Sequence, residues 1–159
     1  MAMRTEPTLS VRISRWIRAP RERVFEAWLD PRLRRQWWAT GRPEGLSVCD
    51  IDARVGGRYC MKQVGSCDSS LDVDRNYEWV MEGEFLEIVR PERIVFTWHV
   101  NHLNEPAGKE RVTIELREAD GGTQLTLTHE GILSPRLRDG TEQGWSELIV
   151  HLSDLAECE

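Results

Sequence analysis

The chain has 159 residues and a formal net charge of −6, enough length for one domain with a full core and too little for several. No run of about eighteen apolar residues occurs, and residues 1–7 lack the apolar core of a signal peptide, so the expectation is a cytoplasmic protein with no membrane insertion. Charge is unevenly spread: residues 1–62 carry 13 basic and 7 acidic side chains, residues 63–159 carry 8 and 20, but the arginines alternate with carboxylates and tryptophans, which argues against a nucleic-acid partner.

Residues 9–17 alternate, with Leu9, Val11, Ile13 and Ile17 on one face and Ser10, Arg12, Ser14 and Trp16 on the other, a half-buried strand. Pro20 then opens a short helix over 20–29, where Val24, Ala27 and Trp28 recur at helical spacing. Asp30-Pro31 ends it and starts a second, with Leu33 and Trp37 four apart before Trp38. From Leu46 the period becomes two: a strand over 46–53, a Gly56-Gly57 turn, and a strand over 58–64.

Residues 65–76 are rich in turn formers, and Asp72, Asp74 and Asn76 imitate the start of a calcium loop. Tyr77 and Gly83 stand where that loop needs its glycine and its bidentate glutamate, so a solvated hairpin loop is expected. Four strands follow, over 77–89, 94–100, 110–118 and 123–130, joined by short turns that make neighbours antiparallel. Ile94, Phe96, Trp98 and Val100 share one face, as do Val112, Ile114 and Leu116, and Leu125, Leu127 and His129. Over 141–158 the apolar residues Trp145, Leu148, Ile149, Leu152, Leu155 and Ala156 make one helical stripe, capped by Asp139 or Thr141 and expected to plug a concave sheet. Residues 8–158 read as one domain behind a tail at 1–7.

The segments "RAPRERVFEAWLDPRLRRQWW", "DARVGGRY", "EGEFLEIVRPERIVFTW", "TQLTLTHEG" and "GWSELIVHLSDL" together resemble the prokaryotic branch of the activator of heat-shock protein 90 ATPase homologue family, within the START-like (SRPBCC) superfamily. The resemblance covers about residues 9–155. It implies an α+β helix-grip fold: a curved antiparallel sheet of about seven strands wrapped around a long C-terminal helix, with two short helices after strand 1. It also implies a cavity between sheet and helix that in relatives takes lipids, polyketides, hormones or other apolar molecules. The superfamily mixes carriers, receptors, cyclases and co-chaperones, so the resemblance does not choose an activity. The eukaryotic co-chaperone carries a separate chaperone-gripping domain for which this length has no room, which argues against a chaperone partner.

Inward residues of the strands and of the last helix would line such a cavity: Tyr59, Met61, Tyr77, Trp79, Met81, Phe85, Phe96, Trp98, Ile114, Leu127, His129, Trp145, Leu148 and Leu152. The same residues filling a dry core is the alternative. Seven tryptophans favour a pocket, because an indole nitrogen wants a partner when buried.

His129 is the polar residue of most interest, since parity directs a titratable ring at the cavity; as a hydrogen-bonded core residue it would need no further role. No nucleophile elbow or phosphate loop is present, so an enzyme would have to work by acid–base chemistry through His129 with Tyr59, Asp50 or Asp52. His99 and His102 lack a third ligand, and Cys49, Cys60, Cys67 and Cys158 show no zinc spacing, so no metal and no cofactor is expected. The cysteines read as free thiols, with a Cys49–Cys60 contact between neighbouring strands as the alternative. Three functions stay open: non-enzymatic binding of a small apolar or amphipathic molecule, a cyclase- or hydrolase-like enzyme in the same cavity, and a protein-interaction module. The oligomeric state is open too, a homodimer included.

Overall fold

The computed structural model describes residues 8–38, 46–64, 78–101 and 110–158. In chain order these form β1 (Leu9–Ile17), α1 (Arg21–Leu29), α2 (Pro31–Trp38), β2 (Leu46–Ile51), β3 (Arg58–Val64), β4 (Glu78–Val89), β5 (Arg93–Val100), β6 (Glu110–Ala119), β7 (Gly122–Ile132) and α3 (Pro135–Glu157). The strands make one antiparallel sheet in the order β1-β7-β6-β5-β4-β3-β2. The first strand is therefore at one edge beside the last.

Alternation settles which face of each strand is covered. Val112, Ile114 and Leu116 of β6 and Leu125, Leu127 and His129 of β7 are buried, and the facing pairs Ile114↔Leu127 and Val112↔His129 put them on one surface. The β6–β7 connection is Asp120-Gly121, both with positive φ (49° and 78°), the conformation a tight hairpin turn demands.

Asp30 explains the break between the first two helices. It closes α1, and its side-chain Oδ1 accepts the Arg32 backbone N–H at 2.9 Å, while Pro31 takes the first position of α2. Two short helices at an angle can each deliver tryptophans to the same place, as Trp28 of α1 and Trp37 of α2 do, with ring centroids 4.9 Å apart.

The last helix starts earlier than its apolar stripe suggests. Ser134, not Asp139 or Thr141, is the N-cap, its hydroxyl accepting the Leu137 N–H at 3.2 Å, and Pro135 sits in the first turn. Gly140 and Gly144 stay helical; an interior glycine costs about 1 kcal/mol relative to alanine and does not end a helix held by tertiary contacts. Arg138 supplies one such contact, donating to the Ser10 carbonyl at 3.2 Å, and within the helix it pairs with Glu142 at 2.5 Å. At the far end Arg23 donates to the Ala156 carbonyl at 3.0 Å, satisfying a terminal acceptor where a cation is favoured.

α3 packs along β1 and against α2, α1 and β7. Trp145, Ile149, Leu152, Ser153 and Ala156 are buried, while Leu148 and Leu155 are half-buried at the margin of the core. Leu148, expected to be buried against the sheet, is thus only half-buried, and the deepest residue of the stripe is Leu152, at 0 % exposure. The helix does not plug the sheet alone either, because α1 and α2 cover part of the inner face with their tryptophans.

Leu152→Ala should cost about 2–5 kcal/mol through lost transfer energy and the cavity left behind, and Leu148→Ala clearly less. Urea denaturation measures both. Equal midpoint shifts for the two variants would contradict this placement of the helix.

Candidate ligand-binding site

The inner face of the sheet is aromatic. Tyr59 of β3, Phe85 of β4 and Phe96 of β5 meet with centroids 5.4–6.2 Å apart, and Phe96 continues to Trp28 at 6.4 Å. A second group forms towards the end of β5: Trp98 lies 6.0 Å from Trp38, 5.3 Å from Trp145 and 5.7 Å from His129, and Trp38 lies 5.5 Å from Trp145. Most pairs are tilted or edge-on, the orientations the ring quadrupole favours. Four elements, α1, α2, β5 and α3, thus meet in one cluster of packed indoles.

Of the residues expected to line it, Tyr59, Met61, Met81, Phe85, Phe96, Ile114, Leu127, Trp145 and Leu152 belong to the buried cluster, and Trp98 and Leu148 pack against it half-buried. Trp79 is half-buried, and Tyr77 lies outside the described residues, as do the loop carrying Asp72, Asp74 and Asn76, and also His102 and Cys67. A depression of about 660 Å³ on the outer face of the sheet is lined by Arg58, Glu82, Thr97, His99, Arg111 and Glu130, whose parity turns them away from the aromatic interior, and it includes Trp98 and Glu110 at its margin.

His129 is fully buried and both its ring nitrogens are engaged. The Trp145 indole N–H donates to Nδ1 at 2.9 Å, which requires an unprotonated acceptor there, and Nε2 meets the Glu110 carboxylate at 2.8 Å, which requires a donor. The two contacts fix one neutral tautomer, with the proton on Nε2. Glu110 shares the inward parity of Val112 and Ile114, two residues on; that signal was present in the sequence and identifies it as the histidine's partner.

The acid–base partners proposed for His129 are not brought to it. Asp50 is exposed on β2, whose buried neighbour is Cys49, and Asp52 is exposed and paired with Arg54 at 2.9 Å. Parity explains both, because Cys49 takes the inward position and turns Asp50 outward. Tyr59 is buried but spends its hydroxyl on the Thr97 carbonyl at 2.6 Å. It reaches β5 across Gly83, its register partner on β4, where an added Cβ would lie 2.0 Å from the same carbonyl oxygen. Burial pushes the Tyr59 phenol well above its ordinary range, with Arg34 opposing the shift.

Arg34 is the residue that composition misplaces. In a basic run it reads as solvated, yet it is 3 % exposed, because it stands three and four residues before Trp37 and Trp38 on the same helical face. Its Nε and Nη2 donate to the Trp28 carbonyl at 3.2 and 2.5 Å, and Nη1 reaches the Met61 sulfur at 3.6 Å. The guanidinium carbon lies 5.1–5.3 Å from the ring centroids of Trp28, Trp37 and Trp38. Burial lowers its pKa to about 10, which leaves it cationic at neutral pH. Among the described residues no carboxylate pairs with it. Beside it the Trp28 indole N–H, fully buried, has no hydrogen-bond partner, whereas Trp37 donates to the Ala27 carbonyl at 2.8 Å. A buried donor left unmatched costs about 1–3 kcal/mol.

Cys49 and Cys60 are not joined by a disulfide, and on paired strands they face opposite sides, Cys49 inward and Cys60 away from its inward neighbours Tyr59 and Met61. Among the described residues no three His, Cys, Asp or Glu side chains gather as metal ligands. Among them, no helix is long and apolar enough to cross a membrane.

A seven-stranded antiparallel sheet that grips a long C-terminal helix, with two short helices closing the aromatic interior, is the helix-grip architecture of START-like proteins. Residues 18–157 match the model of the family described as Activator of Hsp90 ATPase homolog 1-like protein, and the chain belongs to that family. Protein CV1439 from Chromobacterium violaceum is 31% identical, with a TM-score of 0.77 over 94% of this chain and 98% of that one. Mll3558 from Rhizobium loti is 26% identical, with a TM-score of 0.76 over 94% and 97%. A protein from Rhizobium leguminosarum, at 24% identity and a TM-score of 0.78 over 99% and 100%, shares the fold. No protein with a curated description matches the chain.

The raised Tyr59 pKa makes a stability prediction. A neutral form favoured by the fold contributes fully below the ordinary phenol pKa of about 10 and is lost as pH rises further. Stability should therefore fall more steeply above about pH 10 in the wild type than in Tyr59→Phe. The Tyr59 phenolate absorbance, isolated by the difference between the two proteins, should appear only as the native circular dichroism is lost. Phenolate formation in the folded protein would show that the ring is not buried against Thr97.

Proposed function

We propose that the protein binds a small apolar or amphipathic molecule in the aromatic chamber between the sheet and its helices, and that it does so without catalysing a reaction on it. The observation that carries this reading is Trp98. It is half-buried, packed against Trp38, Trp145 and His129 and still partly open to solvent. A closed core has no reason to leave a tryptophan in that position, whereas a binding site uses such a ring as a contact that is apolar and still reachable.

Membership of a START-like family supports the same reading, since an interior held between sheet and helix is what this fold offers an apolar ligand. The absence of reaction is argued from the polar groups. Both His129 nitrogens and the Tyr59 hydroxyl are committed to fixed partners, and Asp50 and Asp52 lie on the outside. An acid or base needs a proton position free for substrate, and none of these four offers one in this arrangement.

Native mass spectrometry of the purified protein, followed by organic extraction, tests the proposal. A non-covalent adduct that is lost on denaturation and recovered as an apolar molecule is the expected result. Adduct-free protein whose melting temperature ignores a panel of fatty acids, sterols and polycyclic aromatics would overturn it.

A further inference from the structure

We infer that the molecule bound in the chamber is an acid, its carboxylate or equivalent oxyanion received by Arg34 and by the indole N–H of Trp28. This rests on the ligand-binding reading above and names the chemical class of the ligand. Beside the Trp145–His129–Glu110 and Tyr59–Thr97 hydrogen bonds, the interior holds a buried cation with no anion, lying over an indole whose N–H has no partner. Trp28 Nε1 has no partner at all. Arg34 has five N–H groups, of which two reach the Trp28 carbonyl and one reaches only the thioether of Met61, a weak acceptor.

A neutral acceptor would answer the indole. It would not answer the guanidinium, which is buried, cationic, and pairs with no carboxylate among the described residues. A carboxylate supplies a counter-charge and two oxygens. The guanidinium carbon lies over the Trp28 ring, 5.2 Å from its centroid, and in this proposal one oxygen takes the Nη1 edge of Arg34 as Met61 swings aside on its flexible chain and the other takes the Trp28 N–H.

The surroundings fit the rest of such a molecule. Trp38 stacks near Arg34 at 5.1 Å and contacts Trp98 at 6.0 Å, so a continuous run of indole leads from the half-exposed ring to the cation. An acid entering head first would place its charge at Arg34 and leave its apolar body against Trp38, Trp98 and Trp145. Fatty acids and aromatic acids share this chemistry, and the test separates them.

Calorimetric titration of the wild-type protein with dodecanoate and methyl dodecanoate, and with 2-naphthoate and methyl 2-naphthoate, needs no mutation. At least one acid should bind about tenfold or more tightly than its ester, the scale of a charge-assisted hydrogen bond. The pair that shows the preference identifies the ligand body as aliphatic or aromatic. In Arg34→Gln the preference should fall to less than about threefold, and Trp28→Phe should weaken the acid while leaving the ester unchanged. If Arg34→Gln does not fold, the wild-type comparison and Trp28→Phe still decide.

Esters that bind as tightly as their acids would overturn the inference and leave the binding function standing, the two donors then being met by buried water. An acid preference that survives Arg34→Gln would overturn it as well. Binding of neither acids nor esters would remove both.

Discussion

The Trp145–His129–Glu110 chain of hydrogen bonds ties the last helix to β7 and β6 of the sheet. It runs from α3 to β7 to β6 through an otherwise apolar interior, with bonds of 2.9 and 2.8 Å and every ring nitrogen used. Helix stripes and sheet faces attract by area and tolerate sliding; a buried hydrogen bond does not, because a shift leaves an unmatched donor and an unmatched acceptor. Since Trp145 also touches Trp28, Trp38 and Trp98, fixing its indole fixes the chamber around it. The histidine is thus a joint between elements, and its proximity to the chamber does not make it a catalyst.

The same interior holds polar groups of two kinds. Glu110, His129, Trp145, Tyr59 and Trp37 are matched within the chain. Arg34 and Trp28 are not matched in the same way: the guanidinium is shielded by three indole faces and a backbone carbonyl but meets no anion, and the neighbouring indole N–H meets nothing. Proteins seldom leave buried donors without acceptors, and where they do the site calls for a specific reason. Here the unmatched indole N–H of Trp28 belongs to a ring that a buried cation without a carboxylate partner lies over, and Trp38 links that cation to the half-buried Trp98.

The strands were legible because period-two alternation survives any tertiary context. Ile94 to Val100, Val112 to Leu116 and Leu125 to His129 each sorted onto one face from sequence, and with them most of the aromatic lining. The apolar stripe begins at Trp145 and leaves the first turns of α3 unmarked, so the sequence places the cap at Asp139 or Thr141 where Ser134 and Pro135 set the start. Leu148 and Ile149 are adjacent in one stripe, and only packing shows that the second is buried and the first marginal. Arg34 was hidden by its neighbours' charge; helical spacing to Trp37 and Trp38 places it inside, but nothing in composition announces a buried cation. Asp50 fell on the wrong side of β2, where the register shifts between Leu46 and Val48 and parity cannot be carried across.

The account rests on the chamber being a site and not a sealed core, and the indole N–H resonances report on it directly. In a ¹H–¹⁵N spectrum of the labelled protein titrated with an apolar carboxylate, Trp28 and Trp98 should shift furthest. Trp16, exposed on the outer face and bonded to the Ala119 carbonyl at 2.7 Å, should hold still. Unmoved Trp28 and Trp98 resonances at saturating ligand, or a shift confined to Trp16, would contradict it.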